Sequence, residues 1–269
     1  MTYNWTTQDL QDLQPRPIEL AETIPAKWFT NVDLYQFELN SVFSKSWQYV
    51  LPLSSIRNLG DVWAGTLLEK PVLLVKVSST EHGVSNTRIF RCAYHSWTYD
   101  LSGKLVGAPK FDGAQEFEKK TCKLPEYKVE VVYGMIFVNL NENAESMKPL
   151  FDKVSSTISP IDMNEMNFYQ RVEYKVKCNW KVYIDNYMEG YHISPVHPGL
   201  AKILQLDGYK TTIDGPSILQ YGPLANENNP YHTAGAAYYY QIFPNLMLNI
   251  LPGRMQVLIF ITRKLIRKN

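Results

Sequence analysis

From Asn179 to His197 the chain reads Asn-Trp-Lys-Val-Tyr-Ile-Asp-Asn-Tyr-Met-Glu-Gly-Tyr-His-Ile-Ser-Pro-Val-His, a run that opens as an amphipathic helix and cannot close as one. Glu189 and His192 are three apart, so on a helix they share a face and reach a common point. His197 comes five residues after His192, and at about 100° per residue an unbroken helix would turn it roughly 140° away. Pro195 is expected to break the hydrogen-bond ladder and push Ser194 out of the α region, bending the chain until both imidazoles face one point. Two neutral imidazoles and a carboxylate suit a borderline divalent ion, either non-haem iron with open positions or zinc. A pair of structural histidines on a bent helix satisfies the same spacing.

The rest of the composition narrows the partners. With 27 basic and 26 acidic side chains in 269 residues, no basic field points to nucleic acid or to an anionic membrane. The N-terminus carries no secretory pattern and no apolar run reaches the roughly 18 residues of a membrane span, so a cytoplasmic protein is expected. Cys92, Cys122 and Cys178 cannot all pair internally and are too sparse for a disulfide framework, which leaves buried thiols or metal ligands.

Patterning divides the chain into three parts. Residues 1–45 are expected to form a proline-bearing surface arm and a helix, with Thr30 and Asp33 as a capping box and Tyr35, Leu39, Val42, Phe43 and Trp47 on one apolar face. Residues 46–159 carry strand-like runs at 47–53, 60–68, 71–77, 88–92, 127–132 and 134–140, then a helix at 144–158. Residues 160–269 start with a strand at 167–177 before the helix at Trp180, and continue with strands at 209–213, 217–221, 236–243, 246–251 and 256–262. A helix set among antiparallel strands predicts an α+β fold.

A second motif lies in the β-rich part. From Phe90 to Leu105 the text is Phe-Arg-Cys-Ala-Tyr-His-Ser-Trp-Thr-Tyr-Asp-Leu-Ser-Gly-Lys-Leu, which sets Cys92 and His95 three apart in a loop ahead of an aromatic wall. A Rieske centre places two Cys on one iron and two His on the other, so one such loop supplies half of its ligands. A buried Cys beside a hydrogen-bonded His has the same spelling. Taken in order, the Cys-x-Tyr-His-x-Trp-x-Tyr loop and the Asn-Trp-Lys…Asn-x-x-Glu-x-x-His-x4-His helix resemble the catalytic α subunit of Rieske non-haem iron ring-hydroxylating oxygenases. The resemblance runs from about Phe43 to Val257, and Asn-Tyr-Met-Glu-Gly-Tyr-His with Leu206-Asp207-Gly208-Tyr209 is similar to the choline-monooxygenase-like branch.

The resemblance implies a small all-β Rieske-like domain followed by a truncated helix-grip catalytic domain. It implies that Cys92 and His95 bind a 2Fe-2S cluster, that His192 and His197 hold a mononuclear Fe(II), and that Glu189 is the carboxylate bridging the two centres across a trimer interface. A small organic substrate, aromatic or quaternary-amine, would be hydroxylated with O2 and electrons from a ferredoxin or flavin reductase. Tyr187, Met188 and Met247 are candidates for pocket walls or for plain core, and Tyr238 to Tyr240 for a cation–π surface or for strand packing.

Two departures from the pattern stand out. Relatives carry an earlier Cys-x-His loop, whereas Cys92 is the first cysteine here and residues 75–87 run from strand to strand as if that loop were deleted. His82, with Cys122 or Cys178, is the conceivable substitute. The third iron ligand of the family is a late carboxylate, and the acidic residues after His197 are Asp207, Asp214 and Glu227, none in a late helix. The alternative readings are therefore an incompetent, truncated relative that binds a ligand or metal, or a mononuclear metal enzyme without a cluster.

Overall fold

The computed structural model describes residues 2–77, 89–111, 113–225 and 235–260. In chain order its helices and strands are α1 (Thr7–Asp12), α2 (Lys27–Thr30), α3 (Val32–Ser41), β1 (Gln48–Pro52), β2 (Val62–Leu67), β3 (Lys70–Val75), β4 (Phe90–Arg91), β5 (Thr98–Tyr99), β6 (Leu105–Gly107), β7 (Lys128–Val132), β8 (Met135–Asn139), α4 (Lys148–Ile158), α5 (Trp180–Tyr187), α6 (Ile193–Val196), α7 (Pro198–Ala201), β9 (Lys210–Asp214), β10 (Ser217–Pro223), β11 (Ala236–Ile242), β12 (Leu246–Leu251) and β13 (Arg254–Ile259). His82 and Glu227 lie outside the described residues. The architecture is α+β, with antiparallel sheets ordered β1-β8-β7, β2-β3, β4-β5-β6 and β13-β12-β11-β10-β9.

Helix α4 lies between the β1-β8-β7 sheet and the five-stranded sheet. Phe151, Val154 and Ile158 recur on one face, and they pack with Phe137 of β8 and with Leu246, Leu248 and Ile250 of β12. Period-two alternation turns Met247 to the opposite face of β12, where it meets Trp180 and Ile184 of α5 and Phe43. One strand thus carries α4 on one side and α5 on the other. Among the described residues no helix is long and apolar enough to cross a membrane.

The start of α5 is tied to α3 by a buried polar clamp. Glu38 is 8% exposed and accepts hydrogen bonds from Trp180 Nε1 at 2.8 Å and from Lys181 Nζ at 2.6 Å. Asn179 caps α5 through the Lys181 N–H and donates its side-chain amide to the Phe29 carbonyl at 3.1 Å. The Asn-Trp-Lys wording is therefore a docking device, with three side-chain N–H donors, one from each residue, paired across the contact.

Several expectations are corrected. The α3 cap is Asn31, whose side chain accepts from Leu34 N at 2.9 Å, because Thr30 is the last residue of α2 and Asn31 has the extended backbone a cap needs. Trp47 lies past that helix. The strand expected at 167–177 does not form. Its alternation is that of a strand, yet Tyr169 is 90% and Tyr174 83% exposed, and a cleft of about 3010 Å³ separates it from the edge strand β13. An extended segment without a neighbour cannot build a ladder. Within the arm, Asp9 is 1% exposed, paired to Lys27 Nζ at 2.7 Å and capping α1 through Thr6.

Two measurements check this packing. Glu38→Ala leaves Lys181 buried without its counter-charge and is expected to lower unfolding stability by about 3–5 kcal/mol, read from the urea midpoint. The Lys27 and Thr6 hydrogen bonds hold the Asp9 carboxyl well below its ordinary value, so the arm's attachment is complete above about pH 4 and weakens as acid protonates Asp9. Proteolysis within residues 13–26 should accelerate as pH falls through that range, and in Asp9→Asn it should be fast and pH-independent.

Candidate metal centre and the loop at Cys92

Helix α5 ends at Tyr187 because its last turn is already engaged. The Tyr187 hydroxyl donates to Asn249 Oδ1 at 2.6 Å, with the Leu248 carbonyl at 3.1 Å, and Gln220 Nε2 donates to the Tyr187 carbonyl. Glu189 and His192 therefore fall in the turn between α5 and α6, not on one continuous helix. Pro195 does not make the bend either. It occupies the first turn of α6, where its missing N–H is harmless, and Ser194 stays helical. The second break is made by Pro198, which holds His197 outside the α region at φ −120 and ψ 62.

These two breaks bring the histidines together. The His192 and His197 ring centroids are 5.1 Å apart at an interplanar angle of 75°. An imidazole bound at about 2.1 Å sets its centroid roughly 3.2 Å from the ion, so two rings sharing one ion need centroids within about 6.4 Å. Glu189 Oε1 pairs with His192 Nδ1, while Oε2 accepts from the N–H of Tyr191 at 2.5 Å and of His192 at 3.3 Å. Burial opposes ionisation of Glu189, yet these bonds from His192 and Tyr191 together hold it below its ordinary value. A carboxylate on Nδ1 fixes that nitrogen as the donor and leaves Nε2 with its lone pair free.

Among the described residues no three His, Cys, Asp or Glu side chains gather into a ligand group. Asp214 is paired with Lys153 at 2.5 Å, and Asp207 lies in the short helical turn at 206–208. Met247 is core, 1% exposed, and Met188 packs at its margin. Alternation along β11 separates the three tyrosines: Tyr238 and Tyr240 face the α4 core, while Tyr239 joins Tyr209 and Ile193 on the side of the histidines. Burial pushes the hydroxyls of Tyr187 and Tyr209 up, which keeps both rings neutral.

The loop after β4 closes tightly. Cys92 N–H donates to the Trp97 carbonyl at 2.7 Å, Ser96 N–H to the Cys92 carbonyl at 3.0 Å, and Ser96 takes φ 60. Backbone N–H groups of Tyr94 and His95 point at the Cys92 sulfur and lower its pKa. Trp97 anchors the loop against Phe111 and Phe117 at 5.3 and 5.4 Å, leaving Cys92, Tyr94 and His95 exposed at the tip.

Comparison with known proteins decides the family. Residues 73–127 match the Rieske [2Fe-2S] domain, and residues 163–262 match the ring hydroxylating alpha subunit (catalytic domain). The carnitine monooxygenase oxygenase subunit of Escherichia coli K12 is 27% identical over 263 residues, spanning 88% of this chain and 70% of the relative. The chloroplastic choline monooxygenase of Arabidopsis thaliana is 29% identical over 266 residues, spanning 87% of this chain and 63% of the relative. The quaternary ammonium Rieske monooxygenase CntA in complex with L-carnitine superposes with a TM-score of 0.71 at 26% identity, covering 87% of this chain and 69% of that one.

The chain belongs to the Rieske oxygenase α subunits.

A Rieske oxygenase α subunit implies a 2Fe-2S cluster, a mononuclear Fe(II), O2 with a small substrate, an electron-transfer partner and an oligomer in which electrons pass between subunits. The residues present fit the two groups unequally. The paired imidazoles, one of them oriented by a carboxylate, fit a single ion. The Cys92 loop offers two of the four cluster donors, so one chain's described residues do not fit the cluster.

Sequence reasoning missed Glu38, Gln220 and Asn249, which fix α5 from distant segments and carry no local signal. Gly190 tests the turn between Glu189 and His192. A Cβ there would come within 2.7 Å of Tyr209 Cε1, and that ring is held by Gln220 Oε1 at 3.0 Å. Gly190→Ala should cost about 1–3 kcal/mol in thermal unfolding and weaken Fe(II) or Co(II) binding in a titration followed by metal absorbance.

Proposed function

We propose that His192 and His197 bind the mononuclear Fe(II) through their imidazoles, and that Glu189 is the carboxylate linking this site to a neighbouring subunit's electron source. The observation that carries this reading is the 5.1 Å approach of the two rings with Glu189 on His192 Nδ1. Bound there, the iron supplies O2 activation and hydroxylation chemistry. Glu189 holds the proton at His192 Nδ1, so Nε2 would be the nitrogen that holds the ion, and the carboxylate stays near the exposed side of the turn where a partner subunit can reach it.

The substrate class we assign is a small quaternary amine, the class named for the carnitine and choline relatives. A quaternary ammonium accepts and donates no hydrogen bond, so it is recognised by aromatic faces. The aromatic rings of Tyr209 and Tyr239 lie on the side of β11 that carries the histidines, with Tyr209 against Gly190. The assembly is a homotrimer served by a ferredoxin or flavin reductase in the cytoplasm, built from an arm (1–45), a Rieske-like unit (46–159) and a catalytic unit (160–269). A second reading, a metal- or ligand-binding relative without turnover, is favoured by the two-donor loop at Cys92 and His95.

His192→Ala and His197→Ala test the site. Each is expected to drop bound Fe(II) from about one per chain to near zero and to abolish substrate-dependent O2 uptake with carnitine or choline, while unfolding stability stays within about 1 kcal/mol because both rings are partly exposed. Unchanged iron content in both variants would refute the assignment. Tight iron binding without O2 uptake would select the second reading.

A further inference from the structure

We propose that β9 is an interface strand, through which a second copy of this chain pairs antiparallel about a two-fold axis at Thr212 and continues the five-stranded sheet into its own. Among the described residues β9 (Lys210–Asp214) closes that sheet on one side, and every residue of the strand is exposed. Its outward backbone groups follow from the register. The Pro216 carbonyl accepts from the Phe243 N–H at 2.9 Å, in line with the pairing of Ile218 and Gln241, so residues 218 and 220 bond to β11 while 217, 219 and 221 bond to β9. Those last three oppose Asp214, Thr212 and Lys210, which leaves Thr211 and Ile213 with N–H and C=O directed away from the sheet. Open edges are ordinarily blunted by proline, by a bulge or by a charge within the strand. The centre of β9 is Thr-Thr-Ile, its register against β10 is continuous, and its charges sit only at its ends.

Those end charges select the occupant. Pairing about Thr212 sets Thr211 opposite the copy's Ile213, and the two exchange main-chain hydrogen bonds through their outward groups. It sets Lys210 opposite the copy's Asp214 in a non-hydrogen-bonded pair, the kind whose Cα atoms stand about 4.5 Å apart, and the two-fold repeats this ion pair at the other end. Lys210, Thr212 and Asp214 share the face of Leu219, the α4 side, so each Asp214 comes to lie between Lys153 of its own chain, at 2.5 Å, and the copy's Lys210. The opposite face gains as well. Ile213 is 79% exposed, and the contact puts the copy's Thr211 methyl directly across from it and the copy's Ile213 on the diagonal, about 7–8 Å away. The hydrogen-bond pattern also tolerates a slide of two residues, but that opposes Lys210 or Asp214 to Thr212, so the charges fix the register. Where the chain is already oligomeric, the same contact pairs two oligomers.

The test uses the full chain and follows mass by sedimentation as protein concentration rises. The wild type should double in mass, with the midpoint moved to higher concentration in about 1 M salt, where the screening length shrinks to about 3 Å. Lys210→Glu and Asp214→Lys each turn both cross-strand attractions into like-charge contacts, and each alone should weaken association about tenfold or more. Mixed in equal amounts, the two variants oppose unlike charges at both ends and should recover the doubled mass as a hetero-pair, which also shows that both are folded. Thr212→Cys, at the axis, should crosslink to its copy on mild oxidation, whereas Ile213→Cys, whose copy stands beyond the roughly 7 Å limit for a disulfide, should not. No doubling in the wild type, doubling indifferent to both charge reversals, a mixture that stays apart, or crosslinking through Ile213→Cys in place of Thr212→Cys would overturn the proposal. Doubling is counted from the smallest species each variant forms, so the outcome depends neither on a three-fold assembly nor on iron.

Discussion

The approach of His192 and His197 depends on helix α5 being held at both ends. Glu38 grips its first turn through Trp180 and Lys181, and Asn249 with Gln220 grips its last turn through Tyr187. With the rod fixed, the turn that follows leaves from a defined point, and Glu189 needs only short hydrogen bonds to set His192. Pro198 then supplies the second bend, and His197 returns to face its partner. The arrangement is a set of local turns anchored by long-range contacts, 142 and 143 residues apart in sequence for the Glu38 bonds. Losing the anchor would scatter the two imidazoles even though neither histidine had changed.

The two iron-associated motifs are supported in opposite ways. The histidine pair sits at the end of an anchored helix, with its orienting carboxylate in place. The Cys92 loop is equally well shaped, with its backbone donors and aromatic base formed, but it presents its two donors outward. Membership of the Rieske oxygenase α subunits sets the chemistry both motifs descend from, while the donors actually present set what each can hold by itself.

Much of the fold was legible in the sequence. Strands β1, β7, β8, β10 and β12 fall where alternating or continuous apolar runs placed them, and α4 and α5 where the helical period placed them. Convergence of His192 and His197 was also legible, since their spacing demands a bend and two prolines follow. The position of the bend was not. It depends on where α5 ends, which Asn249 and Gln220 decide from another part of the chain, so Pro195 became an ordinary first-turn residue and Pro198 the hinge. Residues 167–177 mislead for a related reason: Phe168, Val172, Tyr174 and Val176 alternate like a strand, but pairing needs a neighbour that the pattern alone cannot supply. The role of Glu38 was hidden because a single carboxylate on an amphipathic helix reads as surface.

The proposed sharing of one ion by the two imidazoles that follow α5 has a spectroscopic signature. Iron-edge X-ray absorption on the chain loaded anaerobically with Fe(II) measures it most directly. The account predicts two imidazole nitrogens at about 2.1 Å in the first shell, with the characteristic outer-ring scattering reduced to that of one ring in His197→Ala. A shell of oxygens alone, or one that His197→Ala leaves unchanged, would contradict it.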